Sequence, residues 1–326
     1  MTPDLEETLW GIVLAGGEGR RLLELTRAIY GEDLPKQFAV IDGRRSLLQE
    51  TLERIGPIVP PSRTVVVVRT EYEALARRQA AAFDGIEIVA QPLDRDTGPG
   101  VLLPLAQVLA HDPEALLAIF PSDHHVEDAA PFLAAVRRAA GAARRHPMRV
   151  FLLGAAPSGP EVEYGWIVPD PKVDDDEPDE VRRVLAFVEK PPEELAHRLY
   201  ATGALWNTFV MVGTVPAYWN LARHLLPDHA AMFTAYAAEI GGPREAAVRD
   251  LIYRLMKPAN FSRSILERTG DLGVVRLEGS GWTDWGTTRR VLLSLEGTPA
   301  HPALLRRLAE ARRAPAAIRV MRRPEA

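Results

Sequence analysis

Residues 10–37 read WGIVLAGGEGRRLLELTRAIYGEDLPKQ, and this stretch decides the fold. The short apolar run at residues 12–15 ends abruptly at glycines, which is typical of a buried strand in a sheet core. A helical pattern follows at residues 22–29 and places a positive dipole end near the glycines. The stretch therefore predicts a strand, a loop and a helix that together can hold an anion.

Glycines dominate the predicted loop. Gly16, Gly17 and Gly19 carry no side chains that could obstruct a ligand, so successive backbone N–H groups can converge on a phosphate. The dinucleotide-binding fingerprint needs a further glycine where Leu22 stands, and the P-loop needs a glycine where Pro35 precedes the lysine. The sequence thus predicts a phosphate loop of another kind.

Lysine is rare in this chain. Of 39 Lys and Arg residues, only Lys36, Lys172, Lys190 and Lys257 are lysines. A lysine kept beside the glycine loop indicates a need for a compact, mobile ammonium rather than a planar guanidinium. Lys172 lies in an acidic loop and Lys257 precedes a proline, so both are predicted to be solvated.

Composition excludes several classes of protein. The chain has 326 residues and a formal net charge of -5, which argues against a nucleic-acid partner. It has no cysteine, which excludes disulfides, thiolate metal sites and cysteine nucleophiles. The first residues, MTPDLEET, lack the apolar stretch of a signal peptide, and no apolar run approaches the ~20 residues of a membrane span. We expect a cytoplasmic protein without a membrane partner, and these residues leave a homo-oligomer open.

The order of apolar runs predicts an α/β architecture. Strand-like and amphipathic helical runs alternate through the first half, which predicts a mostly parallel sheet with helical crossovers. After Gly154 the strand-like runs follow each other more closely, which predicts a mixed or antiparallel extension. The predicted strands are residues 12–15, 64–68, 86–90, 116–120, 149–153, 164–169, 183–189, 205–212 and 273–277.

The chain is predicted to contain one catalytic domain, residues 1–295, and a helical tail, residues 296–326. Leu304, Leu305 and Leu308 stand at helical spacing and predict one docked helix in the tail. The arginines of the tail are predicted to form a solvated face rather than an anion site.

Two carboxylates are candidates for a magnesium site. Asp123 follows an apolar strand in IFPSDHHV, at the edge where the glycine loop leaves the sheet if the strands are parallel. Magnesium takes one or two carboxylates and fills its remaining sites with phosphate oxygens and water. Asp284 in GWTDWG is the natural second carboxylate. His124 and His125 point to opposite faces of an extended segment, so they cannot easily share a metal; His124 is weighed between orienting a substrate and a structural role.

Other polar residues beside predicted turns are candidates for substrate contacts. Gln91 can bind a base edge, and Thr97 with Gly98 stands at a helix N-terminus, where a plain N-cap is the alternative. Further candidates are Tyr164, Gly165, Glu189 toward sugar hydroxyls, Lys190 toward a phosphate, and Asn207.

Together these segments resemble the sugar-1-phosphate nucleotidyltransferase family, most closely its mannose-1-phosphate guanylyltransferase members. LAGGEGRRL resembles the glycine-rich signature of the family, with Arg21 at its arginine position, and LPKQF resembles its lysine segment. PSDH, FVEKP, WNTFVM and GWTDWG resemble its metal, EKP, WNSG and tryptophan–aspartate segments. The matches follow the family order from Trp10 to about Val291.

The resemblance implies a nucleotide-diphospho-sugar transferase fold, a Rossmann-like mixed, mostly parallel sheet sandwiched by helices. It implies magnesium-assisted transfer of GMP from GTP to mannose 1-phosphate, which gives GDP-mannose and pyrophosphate. Arg21, Lys36 and Asp123 would be catalytic, and Asp123 and Asp284 would hold the metal. The implied nucleotide-binding residues are Leu14, Ala15, Gly16, Gly17, Glu18, Gly19, Arg20, Arg21, Lys36, Gln91, Thr97, Gly98 and Asp123. The implied sugar-phosphate-binding residues are His124, Tyr164, Gly165, Glu189, Lys190 and Asn207.

The sequence also departs from the family pattern. AIYGED lengthens the link to the lysine segment, DRDTGPG stands where RNTAP is usual, WNTF lacks a glycine, and Ser262 replaces an aspartate. The last three departures fall around the expected base and sugar pockets. Two alternatives therefore stay open: a nucleotidyltransferase that uses glucose 1-phosphate with UTP, dTTP or ATP, and a non-catalytic regulator that binds nucleotide sugars.

Overall fold

A computed structural model describes residues 8–17, 19–172 and 181–313. The described strands form one nine-stranded sheet in the order β3-β2-β1-β4-β8-β5-β9-β7-β6. The strands are β1 (Leu9–Leu14), β2 (Thr64–Arg69), β3 (Glu87–Gln91), β4 (Leu116–Pro121), β5 (Val150–Ala155), β6 (Gly165–Pro169), β7 (Val181–Glu189), β8 (Leu205–Thr214) and β9 (Leu272–Leu277).

Helices connect most of these strands. In chain order they are α1 (Leu23–Tyr30), α2 (Leu47–Ile55), α3 (Glu73–Ala80), α4 (Thr97–His111), α5 (Ala129–Arg145), α6 (Glu193–Ala201), α7 (Val215–Leu225), α8 (Pro227–Ala237), α9 (Glu245–Leu255), α10 (Thr288–Leu295) and α11 (Ala300–Arg313). None of the helices in the described part of the chain combines the length and apolarity that a membrane span requires.

The first four strands are parallel, as the sequence predicts. β1 pairs in parallel with β2 on one side and with β4 on the other, and Leu14 lies opposite Pro121. In β2 the run Val65 to Val68 is buried throughout, because helices cover both faces of this part of the sheet. The loops that follow β1 and β4 therefore leave the sheet at the same edge.

The sheet as a whole is mixed rather than mostly parallel. Of the nine strand pairings among the described residues, four are parallel and five antiparallel. β8 lies antiparallel between β4 and β5, and β6 pairs antiparallel with both β7 and β8. Parallel neighbours need a long crossover, and the nine residues that join β5 to β6 contain no helix. The second half therefore adds antiparallel strands, which confirms the mixed or antiparallel extension predicted after Gly154.

Two hydrophobic cores lie on opposite faces of the sheet. Val66 and Val68 of β2 face the core built with α1, α2, α5, α10 and α11, whereas Val65 and Val67 face the core built with α4, α7, α8 and α9. This alternation follows from the two-residue period of a strand. In the predicted tail helix, Leu304 is fully buried and Leu308 packs on the first core, whereas Leu305 remains 45% exposed.

The contact between β5 and β9 gives a test of the packing. Phe151 and Gly273 are register partners, and a Cβ on Gly273 would lie 2.2 Å from Phe151 Cδ1. We expect Gly273→Ala to lower the free energy of unfolding by about 1–3 kcal/mol, the usual cost of overpacking a core. Urea unfolding measures this change.

Gly270→Ala is the matched control, because a Cβ there meets no described atom within 4 Å. Its effect should stay within about 0.5 kcal/mol. Equal free energies of unfolding for the two variants would contradict this packing.

Candidate functional site

The candidate site lies where β1 and β4 end. A cleft of about 410 Å³ opens there, and a smaller cavity of about 190 Å³ adjoins it. Both are bounded by Leu14, Gly17, Asp96 and Thr97, so they form two compartments of one site. The cleft is also lined by predicted site residues from every part of the sequence, namely Arg21, Asp123, His124, Tyr164, Gly165, Glu189, Lys190, Asn207 and Asp284.

Residues of the Lys36 segment hold the glycine loop in place. The Gln37 amide donates hydrogen bonds to the carbonyl oxygens of Ala15 (2.9 Å) and Gly17 (2.7 Å). Gly19 has a φ of +60° and packs against the Lys36 segment, where a Cβ would approach the backbone nitrogen of Lys36 at 3.0 Å. A side chain at this position would be both strained and crowded. The loop and the lysine segment therefore form one unit.

The Lys36 ammonium joins the two candidate carboxylate residues. Its Nζ lies 3.1 Å from Asp123 Oδ2 and donates to the backbone carbonyl of Asp284 at 2.6 Å. Lys36 is only 5% exposed. Burial is the largest single influence on Asp123 and opposes its ionisation, but the charge and hydrogen bond of Lys36 together with the adjacent His124 hold the pKa of that carboxyl below its ordinary value. The lysine nitrogen therefore lies directly behind a carboxylate that lines the cleft.

The Asp284 carboxylate is held by several donors. Oδ1 accepts hydrogen bonds from the Tyr164 hydroxyl (2.6 Å), the Gly286 amide (2.8 Å) and Arg290 (3.1 Å), and Oδ2 accepts one from Arg21 (3.2 Å). Burial acts to raise the pKa of Asp284. The Tyr164 hydrogen bond and the nearby cations act against it, and together they hold this pKa below its ordinary value. Burial and the adjacent Asp284 raise the pKa of Tyr164, so its hydroxyl stays a donor. The donors fix the orientation of this carboxylate.

The side chains of the two adjacent histidines lie on different faces of the segment, as predicted. His124 Nε2 lies 3.7 Å from Asp123 Oδ1, and Trp282 donates to His124 Nδ1 at 3.3 Å. The His125 ring stacks on Trp285 with a centroid distance of 4.4 Å. Burial lowers the pKa of each histidine to about 4, so both are neutral near pH 7. His124 faces the cleft and His125 packs behind it.

The sugar-side candidates meet where β6, β7 and β8 approach one another. Gly165 pairs with Glu189 in register, and a Cβ on Gly165 would lie 2.8 Å from Glu189 Oε2. The missing side chain therefore makes room for this carboxylate, whose pKa burial raises. Asn207 Oδ1 accepts a hydrogen bond from the Phe209 amide at 3.0 Å. Lys190 is exposed at the rim, with a φ of +49°.

The smaller compartment is bounded by Gln91, Gly16 and Gly100. A Cβ on Gly16 would lie 2.4 Å from Gln91 Nε2, so the amide of Gln91 occupies the space that the glycine leaves. The sequence left open whether Thr97 is only the N-cap of α4, and in the structure it is not the N-cap. Asp96 caps this helix by accepting from the Thr97 amide, while the Thr97 hydroxyl accepts from the Phe261 amide at 2.8 Å.

The donor set fits a magnesium ion that takes most of its ligands from a substrate. No cluster of three or more His, Asp or Glu side chains arranged for a metal occurs within residues 8–17, 19–172 and 181–313. Oδ2 of Asp284 accepts from Arg21, whose side chain is 46% exposed. Asp123 also lines the cleft, and its Oδ1 lies 3.7 Å from His124 Nε2. Two carboxylates with phosphate oxygens and water suit magnesium.

A few predicted site residues fall elsewhere. Glu18 lies outside the described residues, and only the backbone of Arg20 is described. Gly98 is buried against the backbone of Ala259, to which its amide donates at 2.7 Å, so it packs behind the cleft.

Sequence reasoning missed other residues. Gln37 stands within the quoted lysine segment, so a signal for it existed. Arg290 also went unforeseen, because its position in TTRRV resembles any solvated helix start. Its guanidinium bonds both Asp284 and Glu161 and lies 4.8 Å from the centre of the Tyr164 ring.

Several known proteins are similar to this chain in sequence or in fold. It is 31% identical over 288 residues to the xanthan biosynthesis protein XanB of Xanthomonas campestris pv. campestris (strain B100), a match that covers 86% of this chain and 58% of XanB. A mannose-1-phosphate guanylyltransferase of Escherichia coli is 29% identical over 283 residues, which cover 85% of this chain and 58% of that protein. The chain thus spans less than two thirds of the length of these relatives.

A solved structure and a family match agree with these relatives. The crystal structure described as mannose-1-phosphate geranyltransferase from Thermus thermophilus superposes with a TM-score of 0.77 at 32% identity, and the match covers 90% of this chain and 80% of that one. Residues 10–292 match the family described as nucleotidyl transferase, a span that contains the glycine loop, Lys36, Asp123 and Asp284. The chain therefore belongs to the nucleotidyl transferase family of enzymes.

Proposed function

We propose that this protein transfers GMP from GTP to mannose 1-phosphate and releases pyrophosphate. The observation that carries the proposal is the Lys36 ammonium, which lies between Asp123 and the backbone of Asp284 beside the glycine loop. An ammonium, a half-exposed arginine and two carboxylates at one cleft suit a triphosphate with its metal ion. The adjoining compartments leave separate space for a base and for a sugar.

The chemistry needs no base from the protein. The attacking oxygen belongs to the phosphate of the sugar substrate and is already an anion, so positioning and charge neutralisation must supply the rate. Arg21 and Lys36 would contact the α-phosphate and the departing pyrophosphate. The loop amides around Gly16 and Gly17 would hold the remaining phosphate oxygens.

A magnesium ion, when bound, would neutralise phosphate charge and make pyrophosphate a better leaving group. Asp123 and Asp284 would hold it. In the structure Arg21 donates a hydrogen bond to Oδ2 of Asp284. We expect the arginine to turn from this carboxylate to the triphosphate when the nucleotide binds, which would leave the Asp284 carboxylate able to help hold the ion. Tyr164 and Arg290 would keep Asp284 oriented throughout.

The relatives support the choice of substrates. The Escherichia coli relative is named for guanylyl transfer to mannose 1-phosphate, and the solved structure is also named for mannose 1-phosphate. Gln91 offers an amide in the smaller compartment, where it would pair with the edge of a base. Glu189 and Asn207 line the larger compartment, where they would bind sugar hydroxyls.

Removal of the Lys36 charge tests the proposed catalytic role. Lys36→Met keeps an unbranched, largely apolar side chain but leaves Asp123 without its ammonium partner. We expect kcat/KM for pyrophosphate release to fall by about 10²–10³-fold, the usual loss for one preorganised contact. Lys257→Met, on an exposed lysine, is the matched control and should keep the parent rate. A folded Lys36→Met variant with near-normal turnover would show that the ammonium has no catalytic role.

The hydroxyl of Tyr164 gives a second test. Tyr164→Phe removes the 2.6 Å hydrogen bond to Asp284 and keeps the ring on which Arg290 lies. Because the acceptor is a carboxylate, we expect kcat to fall by about tenfold. Tyr200→Phe, at an exposed tyrosine, serves as the control. If the two variants have the same kcat, orientation of Asp284 by Tyr164 is unimportant to turnover.

Substrate identity is tested by pyrophosphate release. GTP, UTP, dTTP, ATP and CTP are each paired with mannose 1-phosphate and with glucose 1-phosphate in the presence of magnesium. We expect release with GTP and mannose 1-phosphate, because the relatives are named for this sugar phosphate. Release confined to glucose 1-phosphate with UTP, dTTP or ATP would overturn the assigned specificity and keep the reaction type. Nucleotide binding without release from any pair would instead support a regulator.

A further inference from the structure

The C-terminal helix α11 packs against α1, the helix that precedes the Lys36 segment. Leu304 of α11 is fully buried in the same core as Tyr30 and Leu34. This anchor presents the next turn of α11 to residues 40 and 41. The tail helix therefore contacts the chain on both sides of the catalytic lysine.

Arg307 fastens the segment that follows Lys36. Its Nη1 donates to the carbonyl oxygens of Val40 (2.8 Å) and Ile41 (3.2 Å). Its guanidinium lies 5.8 Å from the centre of the Tyr30 ring. A charged donor that bonds two neighbouring carbonyls fixes the backbone more firmly than one neutral hydrogen bond does. Arg307 is thus not part of the solvated face predicted for the tail arginines.

Tyr30 closes the same segment from its other end. Its hydroxyl donates to the Val40 carbonyl at 3.1 Å and accepts from the Val40 amide at 2.7 Å. The chain between these two residues forms a closed loop, and Lys36 lies in a short 3-10 turn within it. The Ala39 amide donates to the Lys36 carbonyl at 3.0 Å, so the lysine turn ends directly before Val40.

We propose that Arg307 is a positioning residue for Lys36. Arg307 holds Val40 and Ile41, these hold the lysine turn, and the turn sets the ammonium between Asp123 and Asp284. Because small displacements in an active site reduce rate steeply, loss of this anchor should reduce turnover without removing any group that touches substrate. The kinetic part of this inference rests on the function proposed for Lys36.

A labelling experiment tests the position of Lys36 independently of activity. The chain has only four lysines, and Lys36 is buried whereas Lys172, Lys190 and Lys257 are exposed. An amine-reactive reagent followed by peptide mass spectrometry reports the labelling rate of each. In Arg307→Ala we expect labelling of Lys36 to rise by about fivefold or more through local opening, with the other three rates unchanged.

Arg306→Ala is the matched control, because Arg306 is an exposed neighbour on the same helix. It should leave the labelling of Lys36 unchanged. Equal labelling of Lys36 in Arg307→Ala and in the parent would overturn the proposal. So would a rise in Lys36 labelling that a lower free energy of unfolding, measured in urea, fully accounts for, because the three exposed lysines react freely in the folded chain and cannot report general unfolding.

A double-mutant cycle tests whether Arg307 acts through Lys36. We expect Arg307→Ala to lower kcat by about tenfold in the parent, and by less than about twofold in the Lys36→Met background, because residues that share one function are not additive. Arg307→Gln retains one amide donor and should recover part of the loss. A full tenfold loss in both backgrounds would overturn the inference. If Lys36→Met alone costs nothing, the proposed function of Lys36 fails, while the labelling result still decides the positioning.

Discussion

One buried ammonium, that of Lys36, contacts two parts of the candidate site that are far apart in sequence. Lys36 reaches a side-chain oxygen of Asp123 and a backbone oxygen of Asp284, so it connects the ends of widely separated segments. A lysine that is 5% exposed is costly to bury unless its charge is paired and its donors are used. The carboxylate and the carbonyl meet this requirement. The end of β4 and the turn that contains Asp284 are therefore held by one charge, and Gln37 in the next position holds the glycine loop.

Asp284 shows how the rest of the site adapts to that arrangement. Its carboxylate is surrounded by a tyrosine hydroxyl, a backbone amide and two arginines, which keep it ionised although it is buried. Arg21 differs from the other donors because nearly half of its side chain is exposed. Asp284 therefore has buried donors on one side and a half-exposed arginine on the other. In the proposed function, a phosphate group of the substrate competes with Asp284 for this arginine.

The mixed sheet explains why the larger cleft has two different walls. The parallel half supplies the loops after β1 and β4, from which Gly17 and Asp123 line the cleft. The antiparallel half brings β6, β7 and β8 together, which places Glu189 and Asn207 opposite those loops. Phosphates suit the first wall and sugar hydroxyls suit the second. The division of the fold thus matches the division of the proposed substrate.

Much of this molecule could be predicted from local sequence. Apolar runs located the strands, glycines located the loop after β1, and six segments in family order identified the residues around the cleft. These features depend on neighbours in sequence, so a pattern of a few residues determines them. The contacts of the donors around Asp284 and the anchor at Arg307 could not be found in this way. Lys36 and the Asp284 carbonyl are 248 positions apart, and Arg307 and Val40 are 267 apart. Such contacts exist only after the sheet has assembled, because packing of distant elements brings each donor to its acceptor.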